Sequence, residues 1–109
     1  MPEGGAQRAQ SALQRAVARQ WEAVTVHERA AELQENRARA AEQHAGMADT
    51  PSVRETLLGD AQAARGLAQA AQDRAERLRA HLTSEHPDIG RPPPTSAATR
   101  SARPENERG

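Results

Sequence analysis

The stretch that decides the fold is Ala45-Gly46-Met47-Ala48-Asp49-Thr50-Pro51-Ser52. Gly46 predicts a helix end closed by a left-handed residue, which only glycine adopts cheaply. Thr50-Pro51 predicts the next start, an N-cap followed by the rigid residue favoured at the first helical position, and Ser52 with Glu55 offers a capping box one step later. A stop and a start within about five residues leave room only for a tight reversal. The second helix must therefore fold back along the first.

Working outward, residues 6–45 contain no proline or glycine and are dominated by Ala, Gln, Arg and Glu, all good helix formers. A helix of that length is about 60 Å long and needs a coiled-coil-like partner. The heptad frame that fits best places Val17, Val24, Ala31, Ala38 and Ala45 at position a, and Leu13, Gln20, His27, Gln34 and Ala41 at position d, with Ala16, Ala23 and Ala30 widening the stripe. The second helix, over residues 52–83, repeats more cleanly. Leu57, Ala64, Ala71 and Leu78 occupy d, and Ala61, Ala68, Ala75 and Leu82 occupy a. Alanine at most of these positions lets two backbones approach toward the short end of the 8–10 Å range, as in the close antiparallel packing called an Alacoil. The expected fold is all-α: an antiparallel two-helix hairpin over residues 6–83, with its turn at 46–51. Simple pairing about that turn sets Val24 beside Asp73 to Ala75, and Trp21 beside Glu76 and Arg77.

Outside the hairpin the pattern stops. Residues 1–5 predict a disordered start, and residues 84–109 a disordered Pro/Arg-rich tail, with Ile89 as its one large apolar side chain and a polyproline II segment at Pro92–Pro94.

Composition bounds the chemistry. Among 109 residues, 24 are alanine and only 15 are Leu, Ile, Val, Met or Trp, so a thick core is excluded. All 15 cations are arginine, balanced by 15 acids both overall and along each part of the chain. That local balance argues against a basic footprint for nucleic acid. Without cysteine there is no disulfide framework and no thiolate site. No stretch has the length or apolarity of a membrane span or of a signal sequence. His27-Glu28 begins the zinc-protease pattern H-E-x-x-H, but position 31 is alanine; no histidine has a second histidine at i+4. Neither a glycine-rich phosphate loop nor a nucleophile in a suitable context is present. No cofactor and no small-molecule substrate are expected.

What remains is interaction. Gln20, His27 and Gln34 could form a polar ladder that fixes register or partner. Trp21, the only aromatic residue, predicts either packing over the hairpin edge against an arginine stem or a contact with a partner. Leu33, Leu58, Leu67 and Met47 fall off the seam, where a second hairpin would bury them in a four-helix bundle. Gly59 and Gly66, seven apart on the face opposite the seam, read as exposed glycines or as a place for close approach of another chain. The expected role is a non-enzymatic, cytoplasmic module that self-assembles or binds a partner helix.

The segment His27-Glu28-Arg29-Ala30-Ala31-Glu32-Leu33, echoed by Arg39-Ala40-Ala41-Glu42, resembles helical stretches of small Ala/Arg-rich actinobacterial proteins and extensions of some ANTAR-type regulators. That resemblance implies an accessory role beside a transcription regulator. In size and hairpin shape the chain is also similar to the secreted WXG100 proteins, which carry Trp-x-Gly in the interhelical turn; here Trp21 is mid-helix, followed by Glu22-Ala23.

Overall fold

The computed structural model describes residues 2–93, and the side chains of residues 4–93. Two helices make up the architecture: α1, Pro2–Gly46, and α2, Pro51–Glu85. They pack along each other as an antiparallel hairpin.

The reversal uses some of the expected devices and replaces others. Thr50 caps α2 from an extended backbone, its hydroxyl accepting from the Val53 amide at 3.3 Å, and Pro51 takes the first position. The cap is therefore Thr50 itself, and Ser52 lies inside the helix, its carbonyl accepting from Thr56 Oγ1 at 3.1 Å. Gly46, by contrast, is not left-handed; no glycine among the described residues has a positive φ. α1 ends instead by tightening, with the amides of Met47 and Ala48 donating to the carbonyls of His44 and Ala45 at 3.0 and 3.2 Å. These short-range bonds satisfy helix-end carbonyls without a left-handed residue.

Both outer boundaries move outward from the expected ones. α1 begins at Pro2 rather than at residue 6, because proline has no amide to lose at a helix start and its fixed φ is already helical. α2 runs through Glu85, where the His86 amide bonds to Leu82 O at 2.9 Å before Pro87 ends the helix. Residues 86–93 then turn back toward the hairpin: the Ile89 amide bonds to His86 O at 3.1 Å, and Ile89 packs against the core. The first part of the expected disordered tail is thus a folded strap, and its remainder, residues 94–109, lies outside the described residues.

The core is the seam. Val17, Trp21, Val24, Ala75 and Leu82 form one buried cluster at the open end, joined by Leu78 and Ile89; Ala38, Ala61 and Ala64 form another near the turn, flanked by Ala41. Val24 and Ala75 thus meet as the register expected. Eight of the twelve buried apolar residues are alanine, and only Val17, Trp21, Val24 and Leu82 are larger. Seven large apolar side chains remain exposed: Leu13, Val26, Leu33, Met47, Val53, Leu58 and Leu67. A helix pair that exposes more large side chains than it buries has used its small residues to bring backbones together, and has left most of its apolar surface outside the seam.

Candidate functional site

The expected seam residues separate into three groups. Val17, Val24 and Ala31 of α1, and Ala61, Ala64, Ala68, Ala71, Ala75 and Leu82 of α2, are buried. His27, Gln34, Leu57 and Leu78 are half-buried at the edge of the seam. Leu13 and Gln20 are exposed and do not belong to it. Leu13 lies a turn beyond Val17, level with the end of α2, so no helix stands opposite it. Gln20 yields its place to Trp21, because the indole offers far more apolar area. The polar ladder therefore does not form a continuous buried row.

Trp21, expected as a possible partner contact, is only 6% exposed. Its ring lies in the open-end cluster under Arg91, whose guanidinium carbon is 5.5 Å from the ring centroid. The arginine packing anticipated for it is present, though the arginine comes from the strap. Leu33, Leu58 and Leu67 remain on the surface.

The two edges of the seam differ in kind. Along one edge, Trp21, Glu28, Glu35 and Glu42 occupy position e of α1 at seven-residue spacing, facing the e row Arg65, Gln72 and Arg79 of α2. Arg65 forks onto Glu42, with Nη2 donating to Oε1 at 2.7 Å, and lies 3.9 Å from Glu35; Arg79 Nη1 donates to Glu28 Oε2 at 2.8 Å. Arg91 adds a second cation to Glu28, its Nη2 donating to Oε1 at 2.5 Å. Hydrogen bonding from Arg91, with its charge and that of Arg79, holds the Glu28 carboxyl below the usual carboxylate range despite partial burial; Arg65 does the same for Glu42. Between these pairs lies a groove of about 490 Å³, floored by Ala31 and Ala75 and walled by Glu28, Glu32, Glu35, Arg39, Gln72, Glu76 and Arg79. Among the described residues, no three metal-binding side chains come together.

Because the ion pairs join e to e, the g and c positions of both helices fall on the opposite edge. That edge mixes large apolar residues with Arg19, Arg37, Asp60, Arg74 and Arg77, all exposed. Val26, Leu33 and Met47 continue the c row of α1, and Val53 and Leu67 stand in the g row of α2, so five of the seven exposed large apolar residues share it. Ala23 and Ala30 of α1 and Ala63 and Ala70 of α2 belong to the g and c rows of the same edge. Asp60 and Arg74, both exposed, flank Leu67 at seven residues on either side in the same row. The sequence signal for this edge lies in the g and c rows; Val26 and Val53 belong to those rows and not to the a and d rows that define the seam. No helix among the described residues is long and apolar enough to cross a membrane. Comparison with protein-family models, curated proteins and solved structures finds no match to this chain.

Proposed function

We propose that the protein is a non-enzymatic helical interaction module that assembles with a second copy of itself through the edge formed by the g and c rows. The observation that carries this reading is the gathering of Val26, Leu33, Met47, Val53 and Leu67 on one edge while the seam is built mostly from alanine. Each such side chain contributes roughly 1.5–3 kcal/mol when fully buried, which a thin alanine seam does not supply. Isolated helices of this kind draw most of their stability from packing of an apolar face. A second hairpin laid on this edge gives a four-helix bundle.

One pair of charges on this edge also suits a second copy. A two-fold axis passing Leu67 sets Asp60 of each copy opposite Arg74 of the other, since the two are equally spaced about it. Opposite charges at the rim of such a contact steer and orient association. The test is sedimentation equilibrium of the wild type, Asp60→Arg and the exchanged pair Asp60→Arg/Arg74→Asp. The wild type is expected to sediment as a dimer, the single variant to weaken the dimer about tenfold, and the exchanged pair to recover it. Equal association by all three, or a wild-type monomer at all concentrations, contradicts the assignment.

A further inference from the structure

The strap points to a binding site of its own. Trp21, Thr25 and Glu28 project from a single face of α1, four and three residues apart, and together surround the Arg91 guanidinium. The indole offers its π-face at 5.5 Å. Thr25 Oγ1 accepts from Nη2 at 2.9 Å, while donating at 3.3 Å to the Trp21 carbonyl, which fixes its direction. Both Glu28 oxygens accept, at 2.5 Å from Nη2 and 3.3 Å from Nη1, and Arg79 holds the same carboxylate from α2. Two residues earlier in the strap, Ile89 packs into the cluster that contains Trp21. Cation–π contact, a forked carboxylate and an oriented hydroxyl are the three ways a protein surface reads arginine in particular, and lysine satisfies the forked geometry poorly.

All the receptor groups lie on the helices, and both ligand groups lie on the strap. We propose that Trp21, Thr25 and Glu28 form an arginine-binding site whose ligand is a short peptide carrying an aliphatic residue two positions before an arginine, filled here by the chain's own Ile89 and Arg91. The strap is the ligand in cis, and Thr25 and Glu28 are each also held by a group on the helices, the Trp21 carbonyl and Arg79. With the strap in place, Trp21 Nε1 is buried and has no hydrogen-bond partner among the described residues. A buried donor left unpaired opposes closure, so the strap is held loosely enough to exchange for an equivalent segment.

Trp21, as the sole aromatic residue, reports directly on the site. The experiment measures Trp21 emission and acrylamide quenching in the full chain for the wild type, Arg91→Ala, Arg91→Lys and Arg65→Ala, with helicity checked by circular dichroism. Arg91→Ala is expected to shift emission to the red and raise the open-to-closed ratio about tenfold; Arg91→Lys should restore only part of the closed state, and Arg65→Ala, which removes an ion pair to Glu42 away from the site, should leave emission unchanged. In a second arm, the doubly substituted chain Ile89→Asp/Arg91→Ala is titrated with an end-blocked peptide of residues 88–93 and with the same peptide carrying alanine for Arg91. Saturable return of the wild-type emission with the first peptide alone supports the site. Unchanged emission in Arg91→Ala, equal responses to the two peptides, or no response at millimolar peptide overturns it.

Discussion

The two edges of the seam carry the same heptad repeat and different chemistry. On the e edge, Glu28, Glu35 and Glu42 meet Arg65, Arg79 and Arg91, and the strap closes over Trp21. Glu28, Glu35, Glu42, Arg65, Arg79 and Arg91 each have a partner of opposite charge within the chain. On the g edge, Leu33 and Leu67 stand 52% and 57% exposed among alanines, with Asp60 and Arg74 spaced evenly about Leu67. Nothing in the described hairpin covers those two leucines. The difference separates two tasks. Exposed ion pairs contribute little to stability but discriminate between registers and orientations, so the e edge sets how α1 meets α2. Apolar area supplies affinity, and on the function we propose the g edge uses it for association.

The sharpest way to break this comparison is Leu67→Glu. Each copy of a two-fold dimer loses one buried leucine, so the association constant is expected to fall at least a hundredfold, from roughly 1.5–3 kcal/mol per site. Leu58→Glu, on the e edge, is expected to leave association nearly unchanged. Equal losses from both substitutions in a sedimentation series would show that the edges do not differ as described.

Next in size are the glycines on the back of α2. A Cβ added at Gly59 or Gly66 meets nothing within 4 Å, and neither residue has a positive φ. Gly59→Ala and Gly66→Ala are therefore each expected to stabilise the fold by about 0.5–1 kcal/mol, without affecting the dimer. Thermal melts that rise while association holds confirm that the back face is free. A fall in association places a second chain on that face instead of on the g edge.

The smallest effect concerns pH and belongs to the e edge alone. Glu28 and Glu42 have carboxyl groups held below the ordinary value of 4.5 by arginine hydrogen bonds. As pH falls, the unfolded state takes up those protons first. The stability these pairs contribute is thus complete above about pH 4.5 and is lost as pH drops through the lower folded values. Melting temperatures of the wild type should show this decline, and Glu28→Gln/Glu42→Gln should show less of it; an identical acid dependence in both would remove the pairs from the account.

Much of the hairpin was legible because its determinants are local. Thr50-Pro51 acts within one turn, and alanine at 61, 68 and 75 repeats at an interval that only one helix face satisfies. The left-handed end expected at Gly46 was not, since a carbonyl can be satisfied by a shorter-range bond and glycine permits either solution. The strap was illegible for a different reason. Residues 84–93 have almost no apolar content, and their order comes from a groove end supplied by distant residues: Ile89 finds the Val17–Leu82 cluster, and Arg91 finds Trp21 and Glu28. A composition that cannot order itself can still be ordered by a surface already built. The ion-paired edge, however, could have been read from Trp21, Glu28, Glu35 and Glu42 at seven-residue spacing against Arg65 and Arg79.

The central claim, that the g edge is where two copies meet, is tested most directly by isotope-filtered NOE spectroscopy on a mixture of labelled and unlabelled chains. The account predicts intermolecular contacts to the methyl groups of Val26, Leu33 and Leu67, and none to Leu58. Intermolecular contacts confined to Leu58 and the e edge, or none at concentrations where the helices are fully formed, would contradict it.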